Sequence, residues 1–247
     1  MFVVFLFVFV AASPANAGTY LGPQVIIGQF THDEADPSGD LQFIGLYGLF
    51  ELWHTERRFD LHAEGIPVWS PLKFGTSVGS SSRYAAVGVF DAVIHYAVDP
   101  HSRYWVGAGL VDFNDKIAGQ VPFPTPGGIV LLPETSESHL SGARYEVRAV
   151  LPATHNSFVE LQLADMPWLT GNIQLVFNNP SIVVPSSNTH GSAFSALAAY
   201  GWKHDKNQYL VGWRMTNYPV SLTSTGQFAF RNVISGIYFE SRFLIGR

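Results

Sequence analysis

The sequence predicts an all-β chain, a transmembrane antiparallel up-and-down β-barrel of about ten strands, with eight as the alternative count. Three observations predict it. Many segments of about ten residues alternate apolar and polar side chains, the period of a strand and the length of a tilted membrane crossing. The connections between them alternate long and short. Charged residues make up 13% of the 247 residues while 14% are aromatic, against a norm of roughly 25% charged in soluble domains.

Residues 1–17 form a separate segment. Phe2 to Val10 is an uninterrupted apolar run, followed by Ala15-Asn16-Ala17. A run this short does not cross a bilayer as a helix, and an A-x-A site after it marks a secretory signal peptide. No Lys or Arg precedes the run. The mature domain is expected over residues 18–247. No later stretch is apolar for long enough to form a transmembrane helix. Cysteine is absent, which excludes a disulfide framework, thiolate metal sites and a cysteine nucleophile. A net charge of −5 argues against a nucleic-acid partner.

The strands follow in order. Tyr20 to Phe30 is the first, and His32 to Asp40 a polar loop. Leu41 to Trp53 is the second, closed by a tight turn over His54 to Arg58. Phe59 to Ile66 is the third, with Asp60, His62 and Glu64 on one face and Phe59, Leu61 and Ala63 on the other. Pro67 to Ser82 reads as a long Ser-, Gly- and Pro-rich loop. Tyr84 to Tyr96 is the fourth strand, Asp99 to Arg103 a compact turn, and Tyr104 to Phe113 the fifth strand. Asn114 to Ser141, with Pro122, Pro124 and Pro126, reads as a second long loop.

Residues 142–165 carry the clearest alternation. Arg144, Glu146 and Arg148 share one parity, and Tyr145, Val147, Ala149 and Leu151 the other. After Pro152 to Asn156, Glu160 and Gln162 oppose Val159, Leu161 and Leu163. This is a β-hairpin, strands six and seven, with one charged and one apolar face. Pro167 to Gly191 reads as a third long excursion, with Ile173 to Phe177 and Ile182 to Val184 as short extra strands or a flap. Ser192 to Trp202, Tyr209 to Thr216 and Phe228 to Phe243 are strands eight to ten, joined by a tight turn at His204 to Asn207 and a loop at Asn217 to Gly226.

Short connections near residues 55, 100, 154 and 205 would share one end of the barrel, together with both termini. Short periplasmic turns and longer outer loops are the pattern of membrane barrels. The apolar parity then faces lipid: Phe59, Leu61, Phe90, Ile94, Tyr145, Val147, Val159, Leu161, Tyr200, Trp202, Val211, Trp213 and Phe239. The lumen receives Glu51, Asp60, His62, Glu64, Asp91, His95, Arg144, Glu146, Arg148, Glu160, Arg214, Glu240 and Arg242, a set mixed enough in sign for a plug of ion pairs. Tyr84, Tyr96, Tyr104, Trp105, Trp202, Tyr209 and Tyr218 are expected in the interfacial girdles.

With these features the chain resembles the bacterial outer-membrane β-barrel class, over residues 18–247. The resemblance is architectural. It implies a Gram-negative host, export through the periplasm, a porin-like body and outer-membrane lipid as the surroundings. Such barrels usually end on an aromatic residue, whereas here Phe243 is followed by Leu244 to Arg247.

Candidate chemistry is sparse. Asp60, His62 and Glu64 share a face with Asp91 and His95 of the next strand, which fits a polar network holding strands in register, and no metal is assigned to it. His155-Asn156-Ser157 and His190-Gly191-Ser192 repeat a His-x-Ser pattern. Outer-membrane lipid A deacylases use such a pair with a later Glu, and His190 and Ser192 at the outer end are the catalytic candidates that this resemblance implies. Glu240 is the first Glu after them. Ten-stranded outer-membrane proteases need acidic pairs and an Asp–His pair at the outer rim. Residue types for that are present in Asp33, Glu34, Asp36, Asp112, Asp115, Glu134 and Glu137 with His32 and His139, at no selective spacing. The expectation is a monomeric, non-catalytic barrel without cofactor, structural or passing small solutes through a narrow lumen, with outer loops for surface ligands. The alternatives are a lipid-modifying hydrolase and a soluble secreted β-sandwich that binds a ligand.

Overall fold

The structure, a computed structural model, describes residues 18–34, 41–56, 58–68, 84–125, 128–177, 187–224 and 228–246. The expected signal segment, most of the 67–82 loop and Ile182 to Val184 lie outside them. Ten strands follow one another: β1 (Gly18–Glu34), β2 (Leu41–Glu56), β3 (Phe59–Val68), β4 (Tyr84–Ala97), β5 (Tyr104–Thr125), β6 (Gly128–Thr154), β7 (Ser157–Phe177), β8 (Ser187–His204), β9 (Asn207–Leu222) and β10 (Phe228–Gly246). Each pairs antiparallel with its sequence neighbours, and β1 also pairs with β10, from Thr19 opposite Gly246 to Glu34 opposite Phe230. The sheet is therefore one closed barrel, neither an eight-stranded one nor a sandwich of two sheets.

Closure decides the rest of the architecture. Hydrocarbon offers no hydrogen bonds, so a sheet in lipid must pair every strand edge. The outer wall is correspondingly apolar: Phe59, Phe90, Ile94, Leu110, Tyr145, Val147, Leu161, Tyr200, Trp213 and Phe239 are all exposed there. The belt has an upper edge. On β5, Leu110 is 68% exposed and the next outward residue is Asp112. On β8 the change comes between Phe194 and Ser192, and on β9 between Met215 and Asn217. At the lower edge Tyr96, Tyr104 and Trp202 are exposed near the short turns, and Trp202 stacks on Tyr209 at 5.8 Å.

Local chemistry makes the short turns. The Asp99 carboxylate accepts hydrogen bonds from the backbone N–H of His101, Arg103 and Tyr104 at 3.1, 2.7 and 2.8 Å, closing the β4–β5 turn. In the β8–β9 turn Asp205 has φ 54°, a left-handed conformation that Asp tolerates better than most residues. Register irregularities on β6 and β7 fall at Gly142/Tyr145, Pro152/Thr154 and Met166/Leu169. The last contains Pro167, whose missing N–H suits a break in the ladder.

Several sequence expectations are corrected. Residues 114–141 are not a loop: β5 and β6 stay paired from Asn114 opposite His139 up to Thr125 opposite Gly128. Likewise Ile173 to Phe177 is the upper end of β7, not a separate strand, and β9 continues through Asn217 to Leu222. Above the belt the outer wall meets water, so the ladder continues while its apolar alternation disappears. Trp105 and Tyr218 are not girdle residues. They are 6% and 0% exposed and point inward, the parity of Gly107 and Thr216 respectively.

The belt makes a direct prediction. Val147 faces outward between Tyr145 and Ala149 on β6. Val147→Arg is expected to lower stability by about 2–4 kcal/mol, read from the denaturant midpoint of the barrel refolded in vesicles. An unchanged midpoint would contradict the placement of this face in lipid.

Candidate functional site in the filled lumen

Alternation delivers the inward set. All thirteen lumenal residues expected from the sequence are buried: Glu51, Asp60, His62, Glu64, Asp91, His95, Arg144, Glu146, Arg148, Glu160, Arg214, Glu240 and Arg242. They come from β2, β3, β4, β6, β7, β9 and β10, so the lattice they form spans the barrel.

Two clusters can be traced. In one, Arg148 donates from Nε to Glu160 Oε1 at 2.9 Å and from NH1 to Asp60 Oδ2 at 2.7 Å. Arg242 donates to both Glu160 oxygens, at 3.0 and 3.3 Å, and also clasps Glu240, which accepts from the Tyr238 hydroxyl. In the other, Arg144 joins Asp91 Oδ2 at 2.7 Å to Glu146 Oε2 at 2.8 Å. Glu146 Oε1 also meets His95 Nε2 at 2.7 Å and accepts from Gln162. Arg214 holds Glu64 with both terminal nitrogens and donates to Gln24 Oε1 at 3.0 Å. Fork-shaped guanidinium contacts of this kind are charge-assisted and geometrically demanding.

Trp53 sits between the clusters. The guanidinium carbons of Arg148 and Arg242 lie 4.2 and 4.5 Å from its ring centroid, and the His62 ring stacks on it at 4.0 Å. Sequence reasoning missed this residue, although it shares the parity of Glu51 on the same strand. His95 has room because position 107 is glycine: a Cβ there would meet His95 Cδ2 at 2.4 Å.

A second, apolar layer lies toward the outer end. Phe30, Phe113, Ile117, Leu140, Met166, Leu169, Ile173, Tyr218, Val220, Phe230 and Ile234 pack there in one cluster. Within it Asp115 accepts from the Tyr218 hydroxyl at 2.5 Å and from Asn232 Nδ2 at 2.7 Å, and His32 Nδ1 lies 2.6 Å from Asn232 Oδ1. Shallow grooves of about 370 and 230 Å³ lie on the outer wall, against Val106, Val147 and Leu163.

The enzymatic candidates are not assembled among the described residues. His190 is exposed on the outer wall above Phe194, and Ser192 shares its parity two residues on. His139 Nε2 lies 2.8 Å from Asp112 Oδ1, but both are outward-facing, and Glu137 is engaged by Lys116 at 2.6 Å. Asp115 is inside and bound as above; Asp36 is outside the described residues. Among the described residues, one group of side chains could hold a metal: Glu51, His62 and Glu64, with a ligand atom of each within 4.8 Å of the others.

Arg148 tests the lattice. Arg148→Ala leaves Asp60 buried without a guanidinium, and removing one partner of a buried pair costs about 3–5 kcal/mol. The loss should appear as a lower unfolding midpoint, and Asp60→Asn in the same chain should recover part of it. A midpoint shift within about 0.5 kcal/mol would rule out a structural role for this pair.

No protein-family model and no curated protein matches the sequence. Solved structures do resemble the fold. The outer membrane protease OmpT from Escherichia coli superposes with a TM-score of 0.54 and 9% identity, covering 96% of this chain and 99% of that one. The toluene transporter TbuX of Ralstonia pickettii gives 0.40 and 11%, covering 94% and 77%. A FadL homologue of Pseudomonas aeruginosa gives 0.38 and 8%, covering 92% and 90%. At such identities the likeness is one of fold. With the closed sheet and its apolar belt, the OmpT likeness is that of an outer-membrane β-barrel architecture.

Proposed function

We propose that this protein is a non-conducting, non-catalytic outer-membrane barrel, a monomer in outer-membrane lipid whose rigid outer end carries contacts with surface ligands. The observation that carries the reading is the filled lumen: an ion-paired layer within the belt and an apolar layer above it, in a barrel too narrow to hold both a plug and a channel. Function in such scaffolds tends to reside in the segments that the rigid body holds. The decisive experiment is conductance of the refolded, full chain in planar bilayers. No unitary steps are expected above the lipid background. Reproducible open-channel steps would overturn the reading and favour passage of small solutes.

The hydrolase reading predicts something else. His190 and Ser192 share the outward parity of β8 above Phe194, which is where a hydrolase acting on lipid headgroups would need them. Mass spectra of lipid A from cells expressing the wild type and Ser192→Ala are expected to be identical. Acyl-chain loss with the wild type alone would make the protein an enzyme.

A further inference from the structure

We propose that Glu51, His62 and Glu64 bind one divalent transition-metal ion of the zinc class inside the barrel. Glu51 stands opposite Glu64 in the β2–β3 register, and His62 comes two residues before Glu64 on the same face. Their donor atoms converge within 4.8 Å, and each residue is only 2% exposed.

Convergence alone would describe an ordinary polar cluster. The unmet valences point to a ligand. Glu51 Oε2 has no hydrogen-bond partner, and neither ring nitrogen of His62 has one. His62 Nε2 lies 2.6 Å from Glu51 Oε1, an ion-pair contact that a bound ion would widen to the roughly 3.3 Å between two donors of a tetrahedral zinc. On the other side of the ring, Nδ1 lies 3.9 Å from Asp91 Oδ1, which is itself without a partner. An imidazole that ligates through one nitrogen turns its other N–H to a carboxylate, which fixes its tautomer. Asp91 is the carboxylate beside that nitrogen and would have to close the 3.9 Å gap to take the role. Trp53, stacked on the ring, sets its plane.

Glu64 is already held by Arg214 and by Gln24 Nε2 at 3.1 Å. A carboxylate offers about four lone-pair sites, so these bonds orient it without exhausting it. One imidazole nitrogen with two carboxylate oxygens is a zinc-type donor set, whereas magnesium and calcium favour oxygen alone. The ion would act as a structural clip between β2 and β3.

The test uses the tag-free full chain refolded with zinc in detergent and freed of unbound metal. Elemental analysis is expected to find one zinc per folded chain, with folding followed by the SDS-resistant mobility shift. His62→Gln and Glu51→Gln should bind at least about tenfold more weakly, while His139→Ala on the outer wall keeps the metal. A folded wild type without stoichiometric zinc, or a folded His62→Gln that retains it, overturns the proposal. If a lumen variant fails to fold, X-ray absorption of the cobalt-loaded wild type decides. One imidazole with carboxylate oxygens is expected, and a shell without imidazole overturns it.

Discussion

Hydrocarbon on the outside of the wall is the constraint from which the structure follows. It forbids a free strand edge, which closes β1 onto β10. It also makes the outward parity of the crossings largely apolar. Most charged side chains on the crossing strands, Asp165 between Tyr145 and Phe194 excepted, then turn inward. Because opposite walls of a ten-stranded barrel stand within side-chain reach, they meet: Arg148 of β6 reaches Asp60 of β3, and Arg214 of β9 reaches Glu64 of β3. The ion-paired lumen is thus a consequence of the belt rather than an independent feature.

Burying charges this way is not a source of stability in itself. The desolvation cost of a buried pair can match or exceed its Coulombic gain, while an unpaired member is severely destabilising. What the lattice contributes is mutual dependence. Glu160 is shared by Arg148 and Arg242, and Glu146 by Arg144, His95 and Gln162. The registers of β3, β4, β6, β7, β9 and β10 are thereby tied to strands that are not their neighbours. A slip of one residue would turn every charge on that strand into lipid and bring every apolar side chain into the ion layer.

Parity made the crossing segments legible in the sequence. Residues such as Glu146, between Tyr145 and Val147, have their face decided by their neighbours, with no tertiary information. Residue type misleads where it disagrees with parity. Tyr104 and Trp105 are adjacent, so they cannot both be outward; Tyr104 is, and Trp105 is not. Tyr218 shares the parity of Arg214 and Thr216 and lies inside with them. Above the belt the period itself gives no signal, because water accepts polar side chains on the outer wall. The Asn114/His139 and Lys116/Glu137 positions pair across the ladder although both strands read as loop. Which acids meet which arginines was never legible: Asp60 and Arg148 are 88 residues apart in the chain and meet only through closure.

The two lumenal layers bear differently on function. The ion-paired layer lies within the belt, where the wall is fixed by lipid on one side and by cross-barrel bonds on the other. The apolar layer reaches to the upper edge of the belt and beyond, with Ile117 and Tyr218 sitting on strands that are already polar outside. That upper packing gives the outer end a core of its own. It explains how β5 and β6, of 22 and 27 residues, stay paired far past the lipid. From Asp112 to Thr125, at about 3.3 Å per residue and a tilt of roughly 40°, the hairpin rises about 30 Å above the belt. Lys116, Glu137 and His139 stand where β4 and β7 still flank the hairpin, on a four-stranded wall, and beyond Ala118 and Glu134 the hairpin continues as two strands. The contact surface of such a wall is preorganised, which lowers the ordering cost of binding.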